Sequence, residues 1–165
     1  MATVKEFAKK PIYRISDGKK LGDVKDLYLD EHADRVMAVF LGKEGLIKRK
    51  PLAIPLSRIT VTGVDCWLAA EDTEPLDARE IDDGERYTLA ADLRGRELQT
   101  SGGTRIGTIG DVVLDEGFRV TAFALSKVHV EGPVAEAKAV PRESVAELGD
   151  GKSPAVMDLE IAENA

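Results

Sequence analysis

The sequence predicts a mostly β protein, built as two tandem small β-barrels with little helix. Three observations predict it: an internal repeat, strand-like runs punctuated by Gly and Asp, and no long segment with a convincing helical period. Ser16–Glu31 (SDGKKLGDVKDLYLDE) aligns without gaps to Ser101–Glu116 (SGGTRIGTIGDVVLDE), with seven of 16 positions identical. After a one-residue gap, Arg35–Leu41 (RVMAVFL) matches Arg119–Leu125 (RVTAFAL), and Ala53–Pro55 later matches Ala139–Pro141. One unit is used twice.

Each element follows from local chemistry. Asp17-Gly18 and Gly102-Gly103 supply residues that tolerate positive φ, which tight hairpins require. Val24–Leu29 and Ile109–Leu114 then read as strands, bounded by Gly and Asp. Gly22 and Gly107 lie inside the strand pattern, where glycine marks a bulge or a close backbone approach. Asp30–Asp34 and Asp115–Gly117 close a second hairpin in each copy. Pro75–Tyr87 is the nearest approach to a helical period, and Pro141–Leu148 suits a single turn or short helix. Between the copies, Glu71–Glu85 holds eight acidic residues against Arg79 and reads as an exposed connector. The expected organisation is residues 1–70 as repeat 1, 71–94 as an acidic connector and 95–165 as repeat 2.

Composition bounds the function. The 165 residues carry a net charge of −7, with 43% hydrophobic and 32% charged residues, which suits a folded core and not wholesale disorder. No stretch reaches the roughly 18 apolar residues of a membrane span, and the N-terminus has no apolar run of a secretory signal. The lone Cys66 excludes an internal disulfide framework and a cysteine zinc cluster. The expected setting is therefore cytoplasmic, with the inner face of a membrane as a peripheral alternative.

The repeated pattern is (Leu/Ile)-Gly-x-(Val/Ile)-x-Asp-(Leu/Val)-x-Leu-Asp, then an apolar strand, then an Ile/Val-Pro segment. Leu21-Gly22-Asp23-Val24 with Asp26 and Asp30 carries it once, and Ile106-Gly107-Thr108-Ile109 with Asp111 and Asp115 carries it again. This resembles the PRC-barrel family, the small β-barrel of the photosynthetic reaction-centre H subunit and of the C-terminal half of the ribosome maturation factor. The resemblance spans residues 10–70 and 95–161. It implies a barrel used for assembly or docking and not as a catalytic scaffold. The second copy departs from the pattern at Gly149–Pro154, where a tight turn is expected.

Candidate chemistry is sparse. Asp26, Asp30, Asp34, Asp111 and Asp115 are oxygen ligands of the type that Ca²⁺ takes, but their spacing is not that of an EF-hand. Asp30 and Asp115 start turns, where an aspartate bonds nearby backbone N–H groups, so no metal site is assigned. Ser101–Gly107 lacks the Gly-Lys-Ser/Thr ending of a phosphate loop and leads into a strand. The only histidines are His32, in a turn, and His129, in a loop; Cys66 reads as a small hydrophobe beside Trp67. No catalytic or cofactor-binding residue is assigned, and the chain is expected not to be an enzyme.

The one unusual stretch is basic. Lys43, Lys48, Arg49, Lys50 and Arg58 make Gly42–Arg58 cationic, with Glu44 opposing and Leu46 and Ile47 set among the charges. Apolar anchors among steering cations suit a docking loop, so Leu46, Ile47, Lys48, Arg49 and Lys50 form the expected partner-binding set. An anionic membrane surface suits the same residues. The equivalent loop of the second copy, Lys127–Lys138, is nearly neutral. Net charge −7 and a patch without aromatics oppose direct nucleic-acid contact. The leading expectation is a non-enzymatic adaptor or scaffold module docking on a protein complex, with a membrane-associated complex as one setting. Ribosome maturation or RNA processing is the second reading, and a small-ligand or metal-binding regulatory module the third. Another protein or a second copy is the expected partner, since exposed barrel edges invite pairing.

Overall fold

The computed structural model describes residues 1–165 and is mostly β, as the repeat predicts. It divides into an N-terminal unit, residues 5–89, and a C-terminal unit made of residues 1–4 and 90–165. The chain starts with β1 (Ala2–Thr3) and the one-turn helix α1 (Val4–Phe7).

The N-terminal unit continues with β2 (Pro11–Arg14), β3 (Lys20–Asp23), β4 (Asp26–Leu29), β5 (Val36–Glu44) and β6 (Lys50–Pro55). It ends with β7 (Ile59–Thr62), β8 (Trp67–Ala69), β9 (Leu76–Asp77) and β10 (Thr88–Leu89). These strands form a four-stranded sheet, β3-β2-β8-β7, and a five-stranded sheet, β10-β4-β5-β6-β9. Ile12, Leu27, Leu29, Val39, Ile54 and Trp67 are fully buried. Trp67 meets Phe7 edge-on, with ring centroids 5.4 Å apart.

The C-terminal unit follows with α2 (Ala90–Leu93), β11 (Glu97–Thr100), β12 (Arg105–Leu114), β13 (Val120–Val128) and α3 (Pro133–Ala137). It closes with β14 (Ala139–Pro141), β15 (Val145–Glu147), β16 (Ala155–Met157) and α4 (Leu159–Glu163). Its sheet runs β14-β13-β12-β11-β16-β15, with β1 also on β12. The single strand β12 occupies the repeat positions that β3 and β4 share in the first copy.

The punctuation works as its chemistry requires. Gly18 and Gly103 adopt φ of +71° and +89° in the first hairpin of each copy. Asp30 Oδ1 accepts from the N–H groups of Asp34 and Arg35, and Asp115 Oδ1 from those of Gly117 and Arg119. The positive φ in this second hairpin falls on non-glycine residues, Ala33 at +54° and Phe118 at +60°, which the turn composition does not reveal. Pro75–Tyr87 forms two short 3-10 turns, at Ala78–Glu80 and Gly84–Arg86, in place of a helix.

Of residues 71–94, expected as an exposed connector, residues 71–89 are built into the N-terminal unit and residues 90–94 into the C-terminal one. Arg14 donates to the Thr73 carbonyl and to Glu74, and Arg58 to the Thr73 hydroxyl and the Glu71 carbonyl, pinning the acidic stretch at its start. β9 then pairs with β6, and Ala78, Ile81, Tyr87 and Leu89 pack against Tyr28, Ala38 and Ala53. Strand alternation puts Tyr28 on the face of β4 opposite Leu27 and Leu29. That outer face is covered, so all four β4 residues are buried. Charge density hid the few apolar residues that do the packing.

The closing strands of the two units are equivalent. β1 sets Ala2 opposite Leu114 and Thr3 opposite Val113; β10 sets Thr88 opposite Leu29 and Leu89 opposite Tyr28. Leu114 and Leu29, like Val113 and Tyr28, are matched repeat positions. Each unit is therefore completed, in one register, by the strand that precedes the other repeat.

Candidate functional site

The basic stretch forms the end of the β5–β6 hairpin. Its last pairs are Gly42 with Leu52, Lys43 with Pro51 and Glu44 with Lys50, after a register shift between Phe40 and Gly42. Gly45, at φ +112°, shapes the loop: a Cβ there would stand 2.5 Å from the Lys48 carbonyl oxygen. The turn is thus tight against its own backbone and needs glycine. Sequence reading missed this requirement, although a glycine between strand-like runs is its ordinary signal.

The predicted contact residues all lie on this one hairpin and all are exposed. Leu46 and Ile47 reach 103% and 96% relative exposure, so no neighbouring side chain frames them. Lys48, Arg49 and Lys50 follow directly, and Lys43 joins them from β5. Lys25 adds a cation at the base: its Nζ lies 3.5 Å from where a Gly42 Cβ would be. Beyond β6, Asp77 is held down to about 2 by its hydrogen bonds and 2.6 Å ion pair with Arg79, with a smaller contribution from Lys50. The carboxylate therefore stays ionised beside the hairpin's stem.

The other repeat provides an internal comparison. The connection from β13 to β14 folds as α3, which packs against β14 and α4 and buries Val134. The barrel scaffold does not require an exposed apolar tip at this position.

The remaining candidates lie outside this hairpin. Asp26 and Asp111 are buried, and each accepts a 2.8 Å bond from the next residue's N–H, of Leu27 and Val112. Asp111 also lies 3.5 Å from the Arg94 guanidinium. No group of three or more His, Cys, Asp or Glu side chains is placed to hold a metal ion. His32 and His129 are exposed in separate loops, and Cys66 is half-buried in the turn where its carbonyl accepts from Gly63 N–H. A cleft of about 640 Å³ beside Gly22 presents Lys9, Asp23 and Lys25 as its charged groups.

The family model of the PRC-barrel domain matches residues 1–66 and again 85–152, one match for each repeat. The chain belongs to the PRC-barrel family. A similar curated protein is the "Probable sporulation protein YlmC" of Bacillus subtilis (strain 168), 32% identical over 73 residues. That match covers 41% of this chain and 90% of the relative. The two PRC-barrel repeats share their turns and their closing register, and differ in the hairpin that carries Leu46 and Ile47.

Proposed function

We propose that this PRC-barrel protein is a non-catalytic adaptor, held to an acidic surface of a larger assembly by the β5–β6 hairpin. The observation that carries the reading is the pair Leu46 and Ile47, essentially fully exposed among Lys43, Lys48, Arg49 and Lys50. Exposed apolar side chains are hydrophobic surface without use in the monomer, and ringing cations select and steer a negatively charged partner. The family match and the similarity to YlmC support a barrel domain, and the hairpin supports docking as its role.

The test is affinity capture from native lysate, with membranes retained and removed in parallel, comparing the natural sequence with K48E/R49E/K50E and L46S/I47S. A bound component that weakens with salt and is lost in both variants is the expected result. An unchanged set of bound components in both variants overturns the reading.

A further inference from the structure

Resting on that docking reading, we propose that the acidic surface is the face of an anionic lipid bilayer. Leu46 and Ile47 enter the boundary between headgroups and acyl chains, while Lys43, Lys48, Arg49 and Lys50 lie among the lipid phosphates. The shape of the tip favours this partner. Leu46 and Ile47 project at 103% and 96% exposure from a turn that Gly45 keeps tight. At that exposure they have no frame of apolar neighbours for a protein partner to match. A bilayer needs no complementary pocket, because its boundary closes around an apolar projection of any outline, and amphipathic elements sit there about 5–10 Å deep.

Charge placement points the same way. The cations stand on both strands and in the loop itself, so they reach headgroup depth when the tip is inserted. Each Lys or Arg near an anionic surface strengthens binding by about fivefold. Glu44 is the opposing charge within the hairpin. The acidic remainder of the chain is screened beyond a Debye length of about 8–10 Å at moderate salt. The lack of aromatic side chains in the hairpin, which disfavours base stacking, does not weaken apolar insertion by Leu and Ile. The second repeat shows that the exposure is particular to this hairpin, since its own connection folds Val134 inward.

The experiment is sedimentation of the full chain with vesicles of phosphatidylcholine alone, and with about a third phosphatidylglycerol. The expected result is binding to the anionic vesicles only, weakened by salt. Binding should fall by more than about a hundredfold in K48E/R49E/K50E, which both removes three cations and adds three anions, and at least about tenfold in L46S/I47S. These positions are exposed, so the variants keep their fold, which circular dichroism checks. In I47W the emission of the new tryptophan should shift to the blue on anionic vesicles, against the constant background of buried Trp67. Equal binding to neutral vesicles, unchanged binding in K48E/R49E/K50E, or binding without the blue shift overturns the proposal. If anionic vesicles are not bound while lysate capture still depends on the hairpin, the partner is an acidic protein surface; the bilayer proposal falls and the adaptor reading stands. If neither depends on the hairpin, both fall.

Discussion

At Gly107 an added Cβ would stand 2.3 Å from the Lys127 carbonyl oxygen, because β12 and β13 approach closely at that point. At Gly103 the same atom would meet nothing within 4 Å, although φ is +89°. Gly107→Ala should therefore cost more than about 2 kcal/mol, through steric displacement of backbone, and Gly103→Ala about 1 kcal/mol, through φ alone. Chemical denaturation of both variants checks the order. The turn aspartates make a second residue-scale case. Asp30→Ala should lose about 1 kcal/mol with its two backbone bonds, and added calcium should leave the melting temperature of either protein unchanged. Acid sensitivity follows from Asp17 and Asp77, each lowered to about 2, Asp17 chiefly by hydrogen bonds from Arg14 and Asp77 by those from Arg79. A carboxylate whose folded pKa lies below its unfolded value of about 4 stabilises the fold fully above that value. Its contribution is lost as pH falls from about 4 to 2. Melting temperature should thus be flat from about pH 7 to 5 and then decline, and Asp77→Asn should make that decline shallower.

At the scale of elements, strands and turns were legible because their determinants are local. Gly18 and Gly103 had to be where φ turns positive, and alternating apolar residues had to face a core. The acidic segment was misleading because eight charges over Glu71–Glu85 outweigh a few apolar residues in any compositional reading. Its packing depends on Ile81, Tyr87 and Leu89 meeting the outer face of β4 to β6, far away in sequence. Ile81→Ala should destabilise the N-terminal unit by about 1–3 kcal/mol, whereas Asp82→Asn, at an exposed position, should change stability by less than about 0.5 kcal/mol. A thermal denaturation series distinguishes packing from charge. The hairpin was legible as an oddity for the same local reason: apolar residues among cations stand out in sequence, and the structure adds that nothing folds back over them.

At the scale of the whole molecule, each unit has its own closing strand, β1 in the C-terminal unit and β10 in the N-terminal one. Residues 1–4 complete the C-terminal unit, and residues 88–89 complete the N-terminal one. Deleting Met1–Thr3 should expose the Val113–Leu114 stretch of β12 and speed its amide hydrogen exchange, leaving the N-terminal unit as protected as before. Leu89→Ala should loosen Tyr28 and Leu29 in the N-terminal unit instead. Equal loosening of both units by either change would contradict this assignment of strands. The sequence by itself determined that one β-unit is used twice, where its turns fall and that its first copy carries a cationic, apolar-tipped loop. Each of these rests on neighbours in the chain, through φ preference, strand alternation and charge. Only the tertiary structure decided that the acidic stretch is part of a barrel, that β4 is covered on both faces, and that each unit is closed by the strand ahead of the other repeat. Those outcomes depend on which distant segment wins an unpaired edge or an uncovered apolar face, a competition that no local pattern records.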